Sequence, residues 1–286
     1  MKKSKLCIAV PASVVSDTPH LREKTSKIGL IGRAAAIFTV DEIIIYPDNP
    51  HAHQKAESDL IALLLTYMET PQYLRKRLFK LEPELQYAGI LPPLRTPHHP
   101  LNARLKGLSV GEYREGVVLS RTGDGALVDI GVENPAFLRG SRVDERTRVT
   151  ARIVRVAERA EIKLTTREEV PTYWGYSVSV EKHSLGSILG KRSFGLVVAT
   201  SKYGLPLYEI AEKIAAKWEK AGSILVAFGA PTQGLTEIAQ HEGMRLDDIA
   251  DFVVNTIPNQ GTETVRTEEA ILASLATLKV VAELKG

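Results

Sequence analysis

Three segments in the second half of the chain set glycine beside neutral hydrogen-bonding side chains. They are Thr200-Ser201-Lys202-Tyr203-Gly204-Leu205-Pro206, Gly229-Ala230-Pro231-Thr232-Gln233-Gly234-Leu235 and Asn255-Thr256-Ile257-Pro258-Asn259-Gln260-Gly261-Thr262. Glycine lets a backbone come close to a ligand, while hydroxyl and amide groups donate and accept without carrying charge. Each segment taken singly is also an ordinary turn rich in turn formers. Three in succession favour a binding role. No G-x-G-x-x-G follows the first apolar run and no G-x-x-x-x-G-K-[ST] occurs, so neither a dinucleotide nor a triphosphate cradle is expected, and a nucleotide-dependent oxidoreductase is disfavoured.

Charged candidates are few. Arg33 interrupts an otherwise apolar stretch, where a charge is costly unless paired or functional, and a guanidinium there can stabilise negative charge developing on a substrate oxygen. The alternative is an arginine that snorkels to the surface or bridges to Asp41. Arg266 stands at the end of the third segment, with Glu268 and Glu269 just inside the following helix, where carboxylates complement the helix dipole. The seven histidines show no H-x-x-x-H or H-E-x-x-H spacing, so no metal site is expected. The one cysteine, Cys7, lies in an apolar run and reads as a small buried hydrophobe.

The elements that must position these residues alternate. Leu6 to Val10 reads as a strand, Thr18-Pro19 as a helix start, and Glu42 to Tyr46 as a second strand. Later, Gly195 to Thr200, Ser223 to Gly229 and Phe252 to Asn255 read as strands, separated by helices near 206–220 and after Thr267. Near-continuous apolar strands between helices indicate a parallel sheet covered on both faces. In such sheets ligands bind beyond the carboxyl ends of the strands, where all three glycine segments fall.

Between the two halves the rhythm changes. A proline-rich stretch, Leu91 to Pro100, reads as a semi-rigid linker. Beyond it come short β-branched runs, with period-two alternation of Arg148, Thr150 and Arg152 against Val149, Ala151 and Ile153. About five short strands there suggest a small barrel. Residues 95 to 165 hold 13 Lys and Arg against 9 Asp and Glu, whereas the whole chain of 286 residues is only +3, so the basic surplus is concentrated in this insert. It points to a polyanionic partner or to a solvated arginine-rich surface. With 44% hydrophobic and 25% charged residues, disordered, collagen-like and coiled-coil classes are set aside. The first apolar run is too short for a signal peptide and no stretch is long enough to span a bilayer, so a soluble, cytoplasmic protein with no membrane partner is expected.

Several of these segments agree, in order, with one family. The run Val254 to Leu272 resembles the last motif of the SPOUT methyltransferases, in the archaeal and eukaryotic branch whose catalytic domain is interrupted by an oligonucleotide-binding barrel. Val226 to Glu237, the Thr200 to Gly204 segment, Tyr173-Trp174-Gly175-Tyr176 and Arg33 to Glu42 also resemble segments of that branch. The order "G-x-V, turn, aliphatic-V-D-I-G, then F-L-R-G" from Gly116 onward resembles the start of S1-like barrels, which take single-stranded nucleic acid.

The resemblance implies an α/β fold: a parallel-sheet SPOUT domain with a C-terminal trefoil knot, formed by residues 1–94 and 166–286 and interrupted by an OB-fold β-barrel at 95–165. It implies an S-adenosylmethionine-dependent RNA methyltransferase, with rRNA as substrate and uridine N3 as a plausible acceptor, working as a homodimer. A non-catalytic RNA-binding or ribosome-assembly factor on the same scaffold is the alternative. Carried across by position, Thr200, Gly204, Gly229, Gly234, Leu235, Asn255, Ile257, Gln260, Gly261, Thr262 and Val265 become cofactor-binding candidates, with Leu235 and Ile257 enclosing the adenine. Arg33 and Arg266 become the catalytic candidates.

Overall fold

The computed structural model describes residues 4–140 and 142–284. In chain order the elements begin with β1 (Lys5–Pro11), α1 (Leu21–Ile37), β2 (Glu42–Tyr46), α2 (Lys55–Glu69) and α3 (Gln72–Leu78). Five strands follow: β3 (Tyr113–Thr122), β4 (Gly125–Asp129), β5 (Ala136–Arg139), β6 (Arg148–Val156) and β7 (Ala160–Thr165). The chain then runs through β8 (Ser177–Val180), α4 (Leu185–Lys191), β9 (Leu196–Pro206), α5 (Leu207–Lys220), β10 (Ser223–Ala227), α6 (Leu235–His241), α7 (Leu246–Ile249), β11 (Phe252–Asn255) and α8 (Thr267–Ala282).

Contacts divide these elements into two compact units. The first comprises residues 4–66, 86–92 and 176–284, and the second residues 67–85 and 93–175 excepting 141. The barrel unit therefore takes more of the chain than 95–165. Tyr67 to Leu85, expected in the flanking domain, belongs with it, as does 166–175. The reason is local packing: the Tyr67 ring meets Phe79 edge-on at 5.1 Å, and Tyr73 donates its hydroxyl to the Glu115 carbonyl on β3 at 2.8 Å. The division falls inside the Tyr173–Tyr176 motif, where Trp174 Nε1 donates to Glu115 Oε1 at 2.6 Å but Tyr176 donates to the Leu65 carbonyl.

The sheet unit is a six-stranded parallel sheet of order β11-β9-β10-β1-β2-β8. Side chains alternate across a strand, so a strand covered on both faces must be apolar throughout. Cys7, Ala9, Ile44, Tyr46, Val197 and Leu225 pack one face with Leu185 and Ile188 of α4, Ile238 of α6 and Leu246 of α7. The intervening residues Ile8, Val10, Ile43 and Ile45 are buried as completely. Helix α8 packs against α1 and α5. Helix α1 starts at Leu21 rather than at Thr18-Pro19, because Thr18 spends its hydroxyl on Asp17 and His20 takes the position before the first turn.

The barrel unit is a closed barrel of order β3-β4-β5-β7-β6, antiparallel throughout except for the parallel β5–β7 pair that closes it. Val118, Val128, Ile130, Leu138, Ile153 and Ile162 fill its interior. The proline-rich stretch is not a free linker. Leu94 and His98 are buried, and His98 and His99 both bond the Glu69 carbonyl, at 3.0 and 2.7 Å. Among the described residues, no helix is long and apolar enough to cross a membrane.

Candidate active site

Strands β11, β9 and β10 are consecutive neighbours and all run the same way, so their carboxyl ends meet at one edge of the sheet. The three glycine segments converge there around a cavity of about 290 Å³. That volume lies at the lower end of the range of small-molecule pockets. Phe228, Pro231, Ile257 and Val265 give the lining apolar surface, while Ser201, Thr232, Gln233, Asn255 and Gln260 supply polar atoms.

Of the residues singled out from the sequence, Thr200, Gly229, Gly234, Asn255, Ile257, Gln260 and Val265 line this cavity. Several of their side chains are engaged in building it. Thr200 Oγ1 donates to the Ala227 carbonyl at 2.9 Å, tying β9 to β10. Asn255 Nδ2 donates to the Lys202 carbonyl at 3.0 Å while its Oδ1 accepts from Ile257 N–H at 3.0 Å. Gln260 Nε2 donates to the carbonyls of Thr262 and Glu263. At Gly229 a Cβ would stand 3.1 Å from the Gly234 Cα, a tight approach that the bare backbone avoids.

The remaining candidates lie elsewhere. Leu235, expected to enclose a purine, is 1% exposed and packs in the sheet core with Cys7 and Leu225, since it opens α6 with its side chain toward the sheet. Gly204 does not line the cavity. Its segment is a continuation of β9 rather than a loop, and a Cβ there would sit 2.7 Å from Val253 O and Val254 N. The glycine permits close approach to β11 where the register shifts. It lines a neighbouring cavity with Ser201 and Tyr203. Gly261 and Thr262 are exposed outside the lining. Arg266 is exposed at the position before α8, its N–H accepted by Glu269 Oε2 at 3.1 Å, between the lining residues Val265 and Thr267. Arg33 is half-buried in α1 and outside the lining.

Helix α8 adds what sequence reasoning missed. Thr267, Ala270 and Ser274, spaced three and four apart on one face, form a wall of the cavity. Thr256 and Ser274 share a buried hydroxyl–hydroxyl bond of 2.7 Å that fixes the last loop to the helix. The signal was present in the helical spacing of small residues beside Ile271, Leu275 and Leu278, which are fully buried. Glu268 is also buried, its Oε2 3.6 Å from the buried Lys27 ammonium of α1. Lys27 is held more closely by Asp17 at 2.7 Å. Glu269, by contrast, caps the helix.

Among the described residues, no group of three or more His, Cys, Asp and Glu is placed to hold a metal ion. Burial pushes the Cys7 thiol up to about 12, so it stays protonated at neutral pH.

A parallel sheet with a cavity at its carboxyl edge is the layout in which α/β enzymes bind small ligands. A family model described as "Putative RNA methyltransferase" matches residues 5–278, and the chain belongs to that family of RNA methyltransferases. It is 34% identical to an uncharacterized protein of Halobacterium salinarum, over 95% of this chain and 97% of that protein. It is 32% identical to the 28S rRNA (uridine-N(3))-methyltransferase of Mus musculus, over 96% of this chain and 76% of that protein. The enzyme of the same description from Drosophila melanogaster is 31% identical, over 96% of this chain and 62% of that protein.

Proposed function

We propose that this chain transfers a methyl group from S-adenosylmethionine to N3 of a uridine in ribosomal RNA. The observation that carries the reading is the cavity at the joined ends of β9, β10 and β11, in a chain whose relatives of known name act on rRNA uridine N3. Its lining suits the cofactor: apolar faces from Phe228, Ile257 and Val265 for a purine ring, with peptide groups and amides around them for its edges and the ribose. When bound, S-adenosylmethionine supplies a methyl group already activated on a sulfonium.

The chain's own residues then have two tasks. One is to hold the acceptor nitrogen in line with that carbon, which proximity and orientation accomplish. The other is to accommodate the charge left when N3–H gives up its proton. Loss of the N3 proton to water would leave negative charge shared between N3 and the flanking pyrimidine oxygens, and a guanidinium would stabilise that charge, the role assigned to Arg33. Arg266, exposed beside the cavity, holds RNA phosphate.

The same reading puts the chain in the SPOUT class, with a C-terminal trefoil knot within residues 166–286 and a site completed by a second copy. In support, Leu30 and Ile37 on α1 and Leu272 and Val280 on α8 are exposed aliphatics on two helices that pack together. An apolar face of this kind fits a two-fold partner. The barrel docks RNA through its basic surplus. Transfer of labelled methyl groups to rRNA lacking the modification, with nucleoside analysis of the product, tests the reaction. Light scattering at micromolar concentration tests the dimer. Failure to bind S-adenosylmethionine would leave only a binding protein; methylation at another atom would refute the N3 assignment.

A further inference from the structure

On the outer surface of the barrel, three neighbouring strands carry a row of side chains at one level. Tyr113 on β3 lies directly opposite Arg152 on β6, and Arg152 lies directly opposite Lys163 on β7. Opposed residues of an antiparallel pair have Cβ atoms about 5 Å apart, and like charges in that position destabilise the sheet. Arg152 and Lys163 are both exposed, and among the described residues neither forms an ion pair.

Four other arginines of the barrel strands each have a carboxylate partner. Arg114 pairs with Glu112, Arg121 with Asp144, Arg148 with Glu115 and Arg155 with Glu161. Glu169, the acid whose charge Lys163 influences, spends its carboxylate on Thr165 Oγ1 and Thr166 N–H. Arg152 and Lys163 stand side by side with no carboxylate among the described residues in an ion pair with either, and an anionic ligand that neutralises both at once relieves their repulsion.

The ring beside them narrows the class. The Arg152 guanidinium lies 5.9 Å from the centroid of the half-buried Tyr113 ring, which Trp174 steadies edge-on at 6.2 Å. Val154, two residues along β6 from Arg152, is an exposed aliphatic. Cations for phosphates together with a fixed ring and apolar surface for base faces are the elements of single-strand recognition. A duplex, whose bases are stacked on each other, would use the cations alone.

We propose that Tyr113, Arg152 and Lys163 form a docking row for single-stranded RNA, with one base against Tyr113 and successive phosphates on Arg152 and Lys163. The inference deepens the rRNA reading and relies on it for the identity of the strand, though not for the binding itself.

The test uses the full chain and a fluorescently labelled oligouridylate, with anisotropy read at several salt concentrations. Arg152→Glu combined with Lys163→Glu is expected to weaken binding at least tenfold and to lower the slope of log K against log salt by roughly 1.4, two phosphate contacts at about 0.7 each. Tyr113→Leu is expected to weaken binding about fivefold or more with the slope unchanged. Should the charge reversal disturb folding, Arg152→Gln with Lys163→Gln keeps the same reading with a smaller loss. Unchanged affinity and slope in the glutamine pair would overturn the proposal, as would a Tyr113→Leu variant with wild-type affinity or equal competition by polyglutamate. Calorimetric binding of S-adenosylmethionine is expected to be unaltered in every variant; a wild-type chain that binds none would refute the methyl-transfer reading while leaving the row standing.

Discussion

Glu42 on β2 of the sheet unit and Glu69 at the end of α2 in the barrel unit are both buried carboxylates that stay ionised, and they differ in what surrounds them. Burial pushes the Glu42 carboxyl up, but hydrogen bonds from Lys5, Arg192 and Ser179 outweigh it and bring it down to about 2. Burial also opposes the Glu69 charge, and a hydrogen bond from His98 with the charges of Arg148 and Arg167 lowers it to about 2. Of the Glu42 partners, the Lys5 side chain is 52% and that of Arg192 34% exposed, whereas around Glu69 His98 is fully buried, Arg148 is 23% exposed and only Arg167, at 33%, is as open as Arg192. At the sheet, solvent can replace a lost partner. Inside the barrel cluster it cannot, because Arg148 bridges Glu69 to Glu115, and Glu115 in turn accepts from Thr150 and Trp174.

The largest effect is therefore expected at Arg148. Arg148→Ala leaves the buried Glu115 without a cation and Glu69 with only Arg167 and His98, and should cost about 3 kcal/mol. Urea denaturation gives the loss, and hydrogen exchange should localise it to residues 67–85 and 93–175. A loss near 1 kcal/mol would mean that water reaches the cluster after all, and the contrast with Glu42 would fail.

Chemistry, unlike this electrostatic burden, is assigned to the sheet unit. Arg33→Ala should lower kcat by about 100-fold, near 2.7 kcal/mol of transition-state stabilisation, with binding of S-adenosylmethionine and RNA retained. Substitutions on the barrel surface should act on KM instead. Stopped-time assays at saturating RNA separate the two, and a normal kcat in Arg33→Ala would remove that arginine from the mechanism.

Much of this arrangement was legible in the chain itself, for reasons that differ by element. Strands β1 and β2 are buried on both faces and so read as unbroken apolar runs, while β6 shows its two faces through arginine alternation. Strand β8, Ser177–Val180, escaped notice because an edge strand with half its residues exposed has no apolar run to show. The segment at 200–206 looked like a loop because Gly204 and Pro206 punctuate turns; here the glycine is needed only to let β9 pass close to Val253. The family resemblance puts Leu235 at the ligand by position alone, and an apolar residue at a helix start can face either way until the sheet beneath decides. For Tyr67 to Leu85 nothing in the sequence says which unit it packs against, because periodicity shows which face a helix buries and not what covers it.

Acid should separate the two units further. Burial, reinforced by the neighbouring His98, lowers His99 to about 4. Its unfolded value is near 6.5, so below that pH the unfolded chain binds a proton that the folded one refuses, and stability falls as pH falls. Between pH 7 and pH 5 this amounts to ~2 kcal/mol. Below about 4.5 the lowered Glu69 acts in the same direction, its stabilisation being lost as pH falls toward 2. Denaturation midpoints at pH 7 and pH 5 check the sign and size, and His99→Gln should flatten the first part of the profile. A barrel unit whose exchange protection is equal at both pH values would contradict this account.

The smallest effect is expected where the comparison began, at the sheet. Arg192 donates to Glu42 Oε1 at 2.8 Å and also pairs with Glu181 at 2.8 Å. Removing it leaves Glu42 with Lys5 Nζ at 2.8 Å and the Ser179 hydroxyl at 2.8 Å, so the carboxylate keeps a cation and a neutral donor. The pair is also open to water and mobile ions, which reduces its worth to the range of exposed ion pairs, ~1 kcal/mol or less for Arg192→Ala. Part of that loss should disappear in about 1 M salt, where the screening length shrinks to about 3 Å, whereas the Arg148 loss should persist because its partners are buried. Paired urea titrations at low and high salt on the two variants measure this directly. If Arg192→Ala costs as much as Arg148→Ala, or resists salt equally, depth of burial is not what distinguishes the two carboxylates, and the number of partners each retains must be.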